Sequence, residues 1–165
     1  MAHHIVYTDA TMCLATCGRA FINAWFKSPD AAMLRMLQQH HRAYVATHTG
    51  KHAVVSLIEA NIGRTLAEDA RLEARAQAEE MITRTFCHCF IVLGTGFYAA
   101  TVRGIISGIQ WFSRTPVPWK VFGDIGEGAR WIATHAQADG HSDTAADLRA
   151  AIEATHRAAP AAQAK

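Results

Sequence analysis

The sequence predicts an α/β fold in which a mixed β-sheet opens with a hairpin and is covered by helices. Three observations predict it. β-prone apolar runs recur along the chain, helical periodicity follows most of them, and the helical segments begin with capping residues. Strands that alternate with helices in this way form sheets whose crossover helices lie on the two faces.

Composition restricts the class of protein. The chain has 165 residues, half of them hydrophobic, which suits one domain with its own core. Its 16 Lys and Arg residues against 14 Asp and Glu residues leave a net charge of +2, too small to indicate a nucleic-acid-binding protein. The four cysteines lie in apolar segments and the N-terminus lacks a signal-peptide pattern, so we expect a cytoplasmic protein.

The N-terminal part predicts a hairpin and a helix. Ile5 to Cys17 is mostly apolar or β-prone, Gly18-Arg19 offers a turn, and Ala20 to Phe26 alternates between two faces. Ser28-Pro29-Asp30 then begins a helix, with Ser28 as its N-cap, that we expect to run to about His48.

The middle of the chain predicts a third strand, after the two of the hairpin, and a second helix. His52 to Glu59 is nearly continuously apolar, as expected for a strand covered on both faces. After a loop, Thr65 and Glu68 form a Thr-x-x-Glu capping box that opens a helix to about Phe86.

The stretch from Cys87 to Phe112 predicts a central strand and a buried helix. The strand ends at Gly94-Thr95-Gly96, after which the apolar residues take helical spacing. The stretch is long enough to cross a bilayer, but Arg103 and the glycine interruption favour a buried helix over an integral membrane segment. One broad face of this helix collects Phe97, Ala100, Thr101, Gly104, Ile105, Gly108, Ile109 and Phe112.

Two further elements are predicted before residue 138. Trp119 to Phe122 forms a short last strand, and Asp124 with Glu127 caps the helix that follows it.

A change of composition after Ala138 divides the chain into a domain over 1–138 and an appended segment over 139–165. That segment contains a linker, an Ala-rich helix from Ser142 to about Arg157 and a mobile tail. Leu148 and Ile152 are the only large apolar residues of its helix, so we expect the helix to pack weakly.

From about Ile5 to His135 the chain resembles the STAS / SpoIIAA-like family of anti-sigma-factor antagonists and related bacterial domains. The resemblance depends on the order of elements, on the hairpin ending in Ala20 to Phe26, on the strand His52 to Glu59 with its loop and helix, and on the closing segment. The residues of that closing segment are Val121-Phe122-Gly123-Asp124, Glu127, Ala129 and Trp131.

The resemblance implies a non-enzymatic domain that binds a protein partner, with a candidate phosphorylation site at Thr65. Antagonists of this family carry a phosphorylated Ser or Thr at the matching helix start, usually behind an Asp, and Thr65 has no Asp before it. The alternative for Thr65 is a helix cap alone. The predicted interaction surface comprises Ile62, Arg64, Thr65, Glu68, Phe97, Tyr98, Gly104, Gly108 and Trp111.

Small residues at Ala100, Gly104 and Gly108 recur every four positions on the central helix. This stripe would allow a second backbone to approach closely. It predicts either tight packing of the helix on the sheet or the seam of a homodimer.

Residues with catalytic or metal-binding chemistry do not converge in the sequence. On a strand, Cys87 and Cys89 point to one face and His88 to the other, so the three would not ligate one ion. Most of the ten histidines are expected to be at the surface or partly buried, and no nucleophile-elbow motif is present. We therefore expect no catalytic residues, no metal and no cofactor.

Two functions remain from the sequence. The first is a regulatory protein-binding domain. The alternative is a carrier or sensor of an apolar small molecule or lipid, because SpoIIAA-like domains resemble CRAL-TRIO domains in layout. An enclosed apolar cavity beside Phe97, Ile105 and Ile109 would favour the carrier.

Overall fold

The computed structural model describes residues 2–59, 62, 66–96, 99–104 and 116–158. Its strands are β1 (His3–Thr8), β2 (Met12–Cys17), β3 (Ala20–Trp25), β4 (His52–Glu59), β5 (Thr85–Leu93) and β6 (Trp119–Phe122). Its helices are α1 (Ala31–Thr47), α2 (Glu68–Ile82), α3 (Ile125–Ala138) and α4 (Ala145–Arg157), and residues 99–104 are also helical.

The six strands form one mixed sheet in their sequence order. β1, β2 and β3 pair antiparallel, whereas β3, β4, β5 and β6 pair parallel, with α1 and α2 as the first two crossovers. The predicted α/β class, with a mixed sheet covered by helices, is confirmed.

The opening of the sheet differs from the predicted hairpin, because the first β-prone run is two strands. Asp9 separates them. Its carboxylate accepts hydrogen bonds from the backbone N–H groups of Thr11 at 2.7 Å and Met12 at 2.9 Å, and from the Tyr7 hydroxyl at 2.6 Å. Such an Asp turn reverses the chain within a run that otherwise alternates like a single strand.

Each face of the sheet buries its own cluster. On one face, Cys13, Ile22, Val55 and Ile91 pack against side chains of α3 and α4. On the other face, a second cluster joins the sheet to α1 and α2. Its fully or nearly fully buried large members are Met12, Leu14, Phe21, Trp25, Leu34, Leu37 and Tyr44.

The C-terminal helix α4 belongs to the main core, so the prediction of weak packing is wrong. Leu148 and Ile152 are both 0% exposed, and α4 contacts β2 and β3. Polar bonds also connect the helix to the sheet: His156 pairs with Glu59, and Thr155 Oγ1 lies 3.0 Å from His3 Nε2. The large side chains alone underestimate the burial of α4, because its small alanines let the helix lie close to the sheet.

Three helix N-caps were predicted and one is confirmed. Asp124 is the N-cap of α3, since its carboxylate accepts a hydrogen bond of 2.8 Å from the Glu127 N–H. At α1 the predicted Ser28 cap is wrong, because Asp30 accepts the equivalent bond from the Met33 N–H at 2.8 Å. Both caps are carboxylates, which favour the positive end of the helix dipole.

The predicted capping box of α2 is also wrong. The helix begins at Glu68 with Ala67 in the N-cap position, and no side chain among the described residues caps it; Thr65 itself lies outside them. It ends at Ile82 rather than near Phe86, because Thr85 and Phe86 already belong to β5.

Helix α3 lies close to the sheet at Gly128, which predicts a large effect of a side chain there. A Cβ at this position would lie 2.9 Å from Cδ1 of Ile91 and 3.2 Å from Sγ of Cys89. We expect Gly128→Val to lower the free energy of unfolding by about 1–3 kcal/mol through overpacking. Urea denaturation measures this, with the exposed Thr134→Val on the same helix as a control that stays within about 0.5 kcal/mol. Equal stability of the two variants would contradict the close packing.

Candidate functional site

Most of the predicted interaction surface lies outside the described residues. This applies to Arg64, Thr65, Phe97, Tyr98, Gly108 and Trp111, and phosphorylation of Thr65 stays a prediction. Ile62 is buried in the cluster beside α1 and α2, which gives it a packing role. Glu68 is exposed in the first turn of α2, and Gly104 is exposed with no described atom within 4 Å of the position of a Cβ.

The helical residues 99–104 bury a different face from the predicted one. Ala99 and Val102 pack against Val92, whereas Ala100, Thr101 and Gly104 are exposed. The described part of the small-residue stripe therefore faces away from the sheet. Within the described ranges, no helix has the length and apolar character needed to cross a membrane.

A row of neighbouring side chains crosses the middle of the sheet on the face covered by α1 and α2. The strand register places Asn23 beside Ser56, Ser56 beside Phe90, and Phe90 beside Val121. Asn23 is 1% exposed and Ser56 is 6% exposed, whereas Phe90 and Val121 are half-buried. The row thus becomes more accessible from β3 towards β6.

The inner end of this row is polar. Ser56 Oγ lies 3.1 Å from Nε2 of His88. Neither amide atom of Asn23 has a hydrogen-bond partner among the described residues. An unpaired buried amide is uncommon in proteins because it costs free energy, so Asn23 marks a position with a special requirement.

His88 connects the polar end of the row to aromatic rings. Its ring stacks on Phe90 at a centroid distance of 4.2 Å and lies 5.1 Å from Trp119. Desolvation by burial lowers the pKa of His88 to about 3, so the ring is neutral near pH 7. It can donate one hydrogen bond and accept another there, but it supplies no charge.

Two more histidines form a fully buried pair, whereas surface or partly buried positions are expected from the sequence. Nε2 of His41 lies 2.7 Å from Nε2 of His52, and both rings are buried. Desolvation lowers their pKa values to about 4 for His41 and about 3 for His52. The signal was present, because His41 follows Leu37 and precedes Tyr44 at helical spacing and His52 opens an apolar run.

The cysteine and histidine alternation on β5 is confirmed. Cys87 and Cys89 lie in the α3 and α4 cluster, while His88 lies on the opposite face. Burial raises the pKa of the Cys87 thiol to about 12 and also raises that of Cys89, which makes both poor nucleophiles. Among the described residues, no three His, Cys, Asp or Glu side chains are close enough to hold one metal ion.

An open cleft of about 480 Å³ lies at the amino ends of β4, β5 and β6. Phe86, Val117 and Pro118 form part of its apolar wall, and Lys51 and Asp139 add one charge of each sign. Parallel sheets usually bind ligands at the opposite, carboxyl ends of their strands.

Comparison with known proteins identifies the fold. No protein-family model matches the sequence, and no curated protein matches it. A crystal structure of an uncharacterized DUF3478-family protein from Shewanella loihica PV-4, described as having a SpoIIAA-like fold, superposes with a TM-score of 0.55. The match covers 80% of this chain and 96% of that one, at 13% sequence identity.

This chain has a SpoIIAA-like fold. The fold predicted from the order of elements is therefore confirmed. At 13% identity the likeness concerns the fold alone, and the Shewanella protein is itself described as uncharacterized. Function in this SpoIIAA-like chain must be argued from its own residues.

Proposed function

We propose that this SpoIIAA-like chain is a non-enzymatic regulatory domain that binds a protein partner through helix α2. One observation carries the proposal. Of the fifteen residues of α2, only Ala70 and Gln77 are buried, and Leu72 is 65% exposed. Glu68, Asp69, Arg71 and Arg75 lie near Leu72 in the sequence, so a contact centred on Leu72 would have an apolar centre and a charged rim, as protein interfaces do.

Several of the contacts between α2 and α1 are polar. Arg42 forms two hydrogen bonds with Glu80, of 2.7 and 2.6 Å, and Gln38 donates a third to Glu80 at 2.6 Å. Arg35 lies 3.4 Å from Glu73. Exposed pairs of this kind contribute about 0–1 kcal/mol each. A helix held in this way can adjust its position at low cost when a partner binds.

The non-enzymatic part of the proposal is supported by the environment of the Ser56 and His88 pair. A serine beside a neutral imidazole is the arrangement of a nucleophile and its base. Ser56, however, is 6% exposed, and no carboxylate among the described residues orients the His88 ring. We therefore assign this pair a binding or packing role.

Replacement of Leu72 by Glu tests the contact surface. We expect the wild-type chain, immobilised as bait, to retain one stoichiometric protein from a lysate of its host cells, and Leu72→Glu to retain at least about tenfold less. Thr134→Glu adds the same charge on the exposed side of α3 and should retain the partner like the wild type. Both variants should unfold within about 0.5 kcal/mol of the wild type, because both positions are exposed. Undiminished capture by Leu72→Glu would refute the role of α2.

The second candidate function is a carrier of an apolar small molecule. An enclosed apolar cavity beside Phe97, Ile105 and Ile109 would favour this candidate, and these three residues lie outside the described ones. The observation that supports a small-molecule site is the 480 Å³ cleft, whose volume lies in the range of such sites, although it is open and includes Lys51 and Asp139 in its wall. Native mass spectrometry of the purified chain distinguishes the candidates, because a carrier retains extra mass that denaturation removes.

A further inference from the structure

The exposed face of α2 carries opposite charges one turn before and one turn after Leu72. Successive residues of an α-helix are rotated by about 100° and rise by about 1.5 Å. Glu68 therefore lies about 40° around the helix axis from Leu72 and about 6 Å towards the N-terminus. Arg75 lies about 60° from Leu72 on the same side and about 4.5 Å towards the C-terminus. The three side chains share one face, with an acid before the leucine and a base after it.

These side chains are accessible to a second protein. Leu72 is 65% exposed, the side chain of Arg75 is 80% exposed, and Glu68 is also exposed. Arg75 lies 3.3 Å from Glu79 on the same helix, and such an exposed pair leaves the guanidinium able to bind a second carboxylate. The face therefore suits a partner that presents an apolar side chain to Leu72, a base to Glu68 and an acid to Arg75.

A second copy of α2 in antiparallel orientation presents this pattern. A two-fold axis beside Leu72, perpendicular to the helix, places the two leucines against each other and reverses the helix direction. Glu68 of each copy then faces Arg75 of the other, which gives two ion pairs around an apolar centre. On the other side of Leu72, Asp69 faces Ala76, so no like charges meet there. A parallel arrangement would place Glu68 beside Asp69 of the other copy, and these like charges repel.

We propose that the partner of α2 is a second copy of this chain, docked antiparallel with Leu72 at the two-fold axis and Glu68 paired with Arg75 across the contact. This inference rests on the proposed function, because it names the partner of the same helix. The surface differs from the stripe of small residues that the sequence suggests as a dimer seam. In a two-fold contact each substitution acts at two places, so its effect on association is doubled.

Charge reversal at the two ends of the contact tests the proposal. We expect sedimentation equilibrium of the full wild-type chain to show a mass that rises from monomer to dimer between about 1 µM and 1 mM. In Glu68→Arg two bases would meet at each ion-pair position, and in Arg75→Glu two acids would meet. Each variant alone should therefore associate at least about tenfold more weakly than the wild type.

An equimolar mixture of the two variants is the decisive sample. In a mixed dimer each base of Glu68→Arg faces an acid of Arg75→Glu, so the mixture should associate within about threefold of the wild-type affinity. Restored association also shows that both variants are folded. Arg130→Glu is the matched control, since it reverses an exposed charge on α3, across the sheet from α2, and should associate like the wild type.

Three results would overturn the proposal: a monomeric wild-type chain at all concentrations, single variants that associate as well as the wild type, or a mixture that fails to associate. The lysate experiment with Leu72→Glu separates these results from a failure of the proposed function. A different protein captured through α2 by a monomeric chain would overturn the second copy and keep α2 as a contact surface. A monomeric chain that captures no protein would overturn both.

Discussion

Replacing Leu148 by Ala is expected to lower the free energy of unfolding by roughly 2–5 kcal/mol. Leu148 is 0% exposed and lies in the main cluster between α4 and the sheet, so its removal leaves a cavity that the surrounding side chains fill only in part. Urea denaturation at pH 7.5 measures the loss. Leu72→Ala is the matched control, since Leu72 is mostly exposed and the same truncation there should cost about 0.5 kcal/mol or less.

The Leu148 experiment decides whether residues after 138 are an appended segment or part of the core. A loss of unfolding free energy as small as that of Leu72→Ala would show that α4 packs weakly, as the sequence alone predicts. A loss in the expected range would mean that the fold requires α4. In that case Ile152→Val, one turn further along the same face, should cost about 0.5–1.5 kcal/mol.

Acidification from pH 7.5 to pH 5 is expected to cost several kcal/mol of stability. The pKa values of His41, His52 and His88 are lowered from an ordinary value of 6.5 to about 4, 3 and 3, chiefly because burial disfavours their charged forms. At pH 5 the unfolded chain binds a proton at each of these residues and the folded chain does not. Each histidine therefore favours unfolding by about 2 kcal/mol at that pH.

The loss of stability on acidification follows from the lowered pKa values of the three histidines. Above about pH 7.5 the three histidines are almost entirely neutral in both states, and stability hardly depends on their protonation. Stability falls as the pH drops through 6.5, the pKa of the unfolded histidines, and levels off only near pH 3–4, where the folded chain would also bind the protons. Because small domains have only about 5–15 kcal/mol in total, we expect acid unfolding between about pH 5 and pH 4.

A double variant isolates the buried pair. His41→Leu with His52→Val removes both rings together, so neither is left without its hydrogen-bond partner. The loss of stability between pH 7.5 and pH 5 should fall to about one third, which urea denaturation at the two pH values measures. An unchanged pH dependence would show that other groups control acid unfolding.

The sequence by itself determined those elements that are specified by residues adjacent to one another in the chain. β4 has the predicted bounds, His52 to Glu59. A continuous apolar run between a glycine turn and a loop is typical of a strand that is buried on both faces of an α/β sheet. β6 also has its predicted bounds, Trp119 to Phe122. The Asp124 cap could be predicted because an N-cap is defined by residues within one turn of the helix. The alternation of Cys87, His88 and Cys89 likewise follows from the strand period alone.

Only the tertiary structure decided which side chains meet across long separations in the chain. The burial of Leu148 depends on β2 and β3, more than 120 residues earlier, and the His41 and His52 contact requires α1 to lie over the start of β4. Asn23 differs from its strand neighbours in sequence, yet nothing local says that its amide is unpaired in the folded chain. A local pattern indicates that a residue faces the interior, whereas its neighbours there are set by the packing of distant elements.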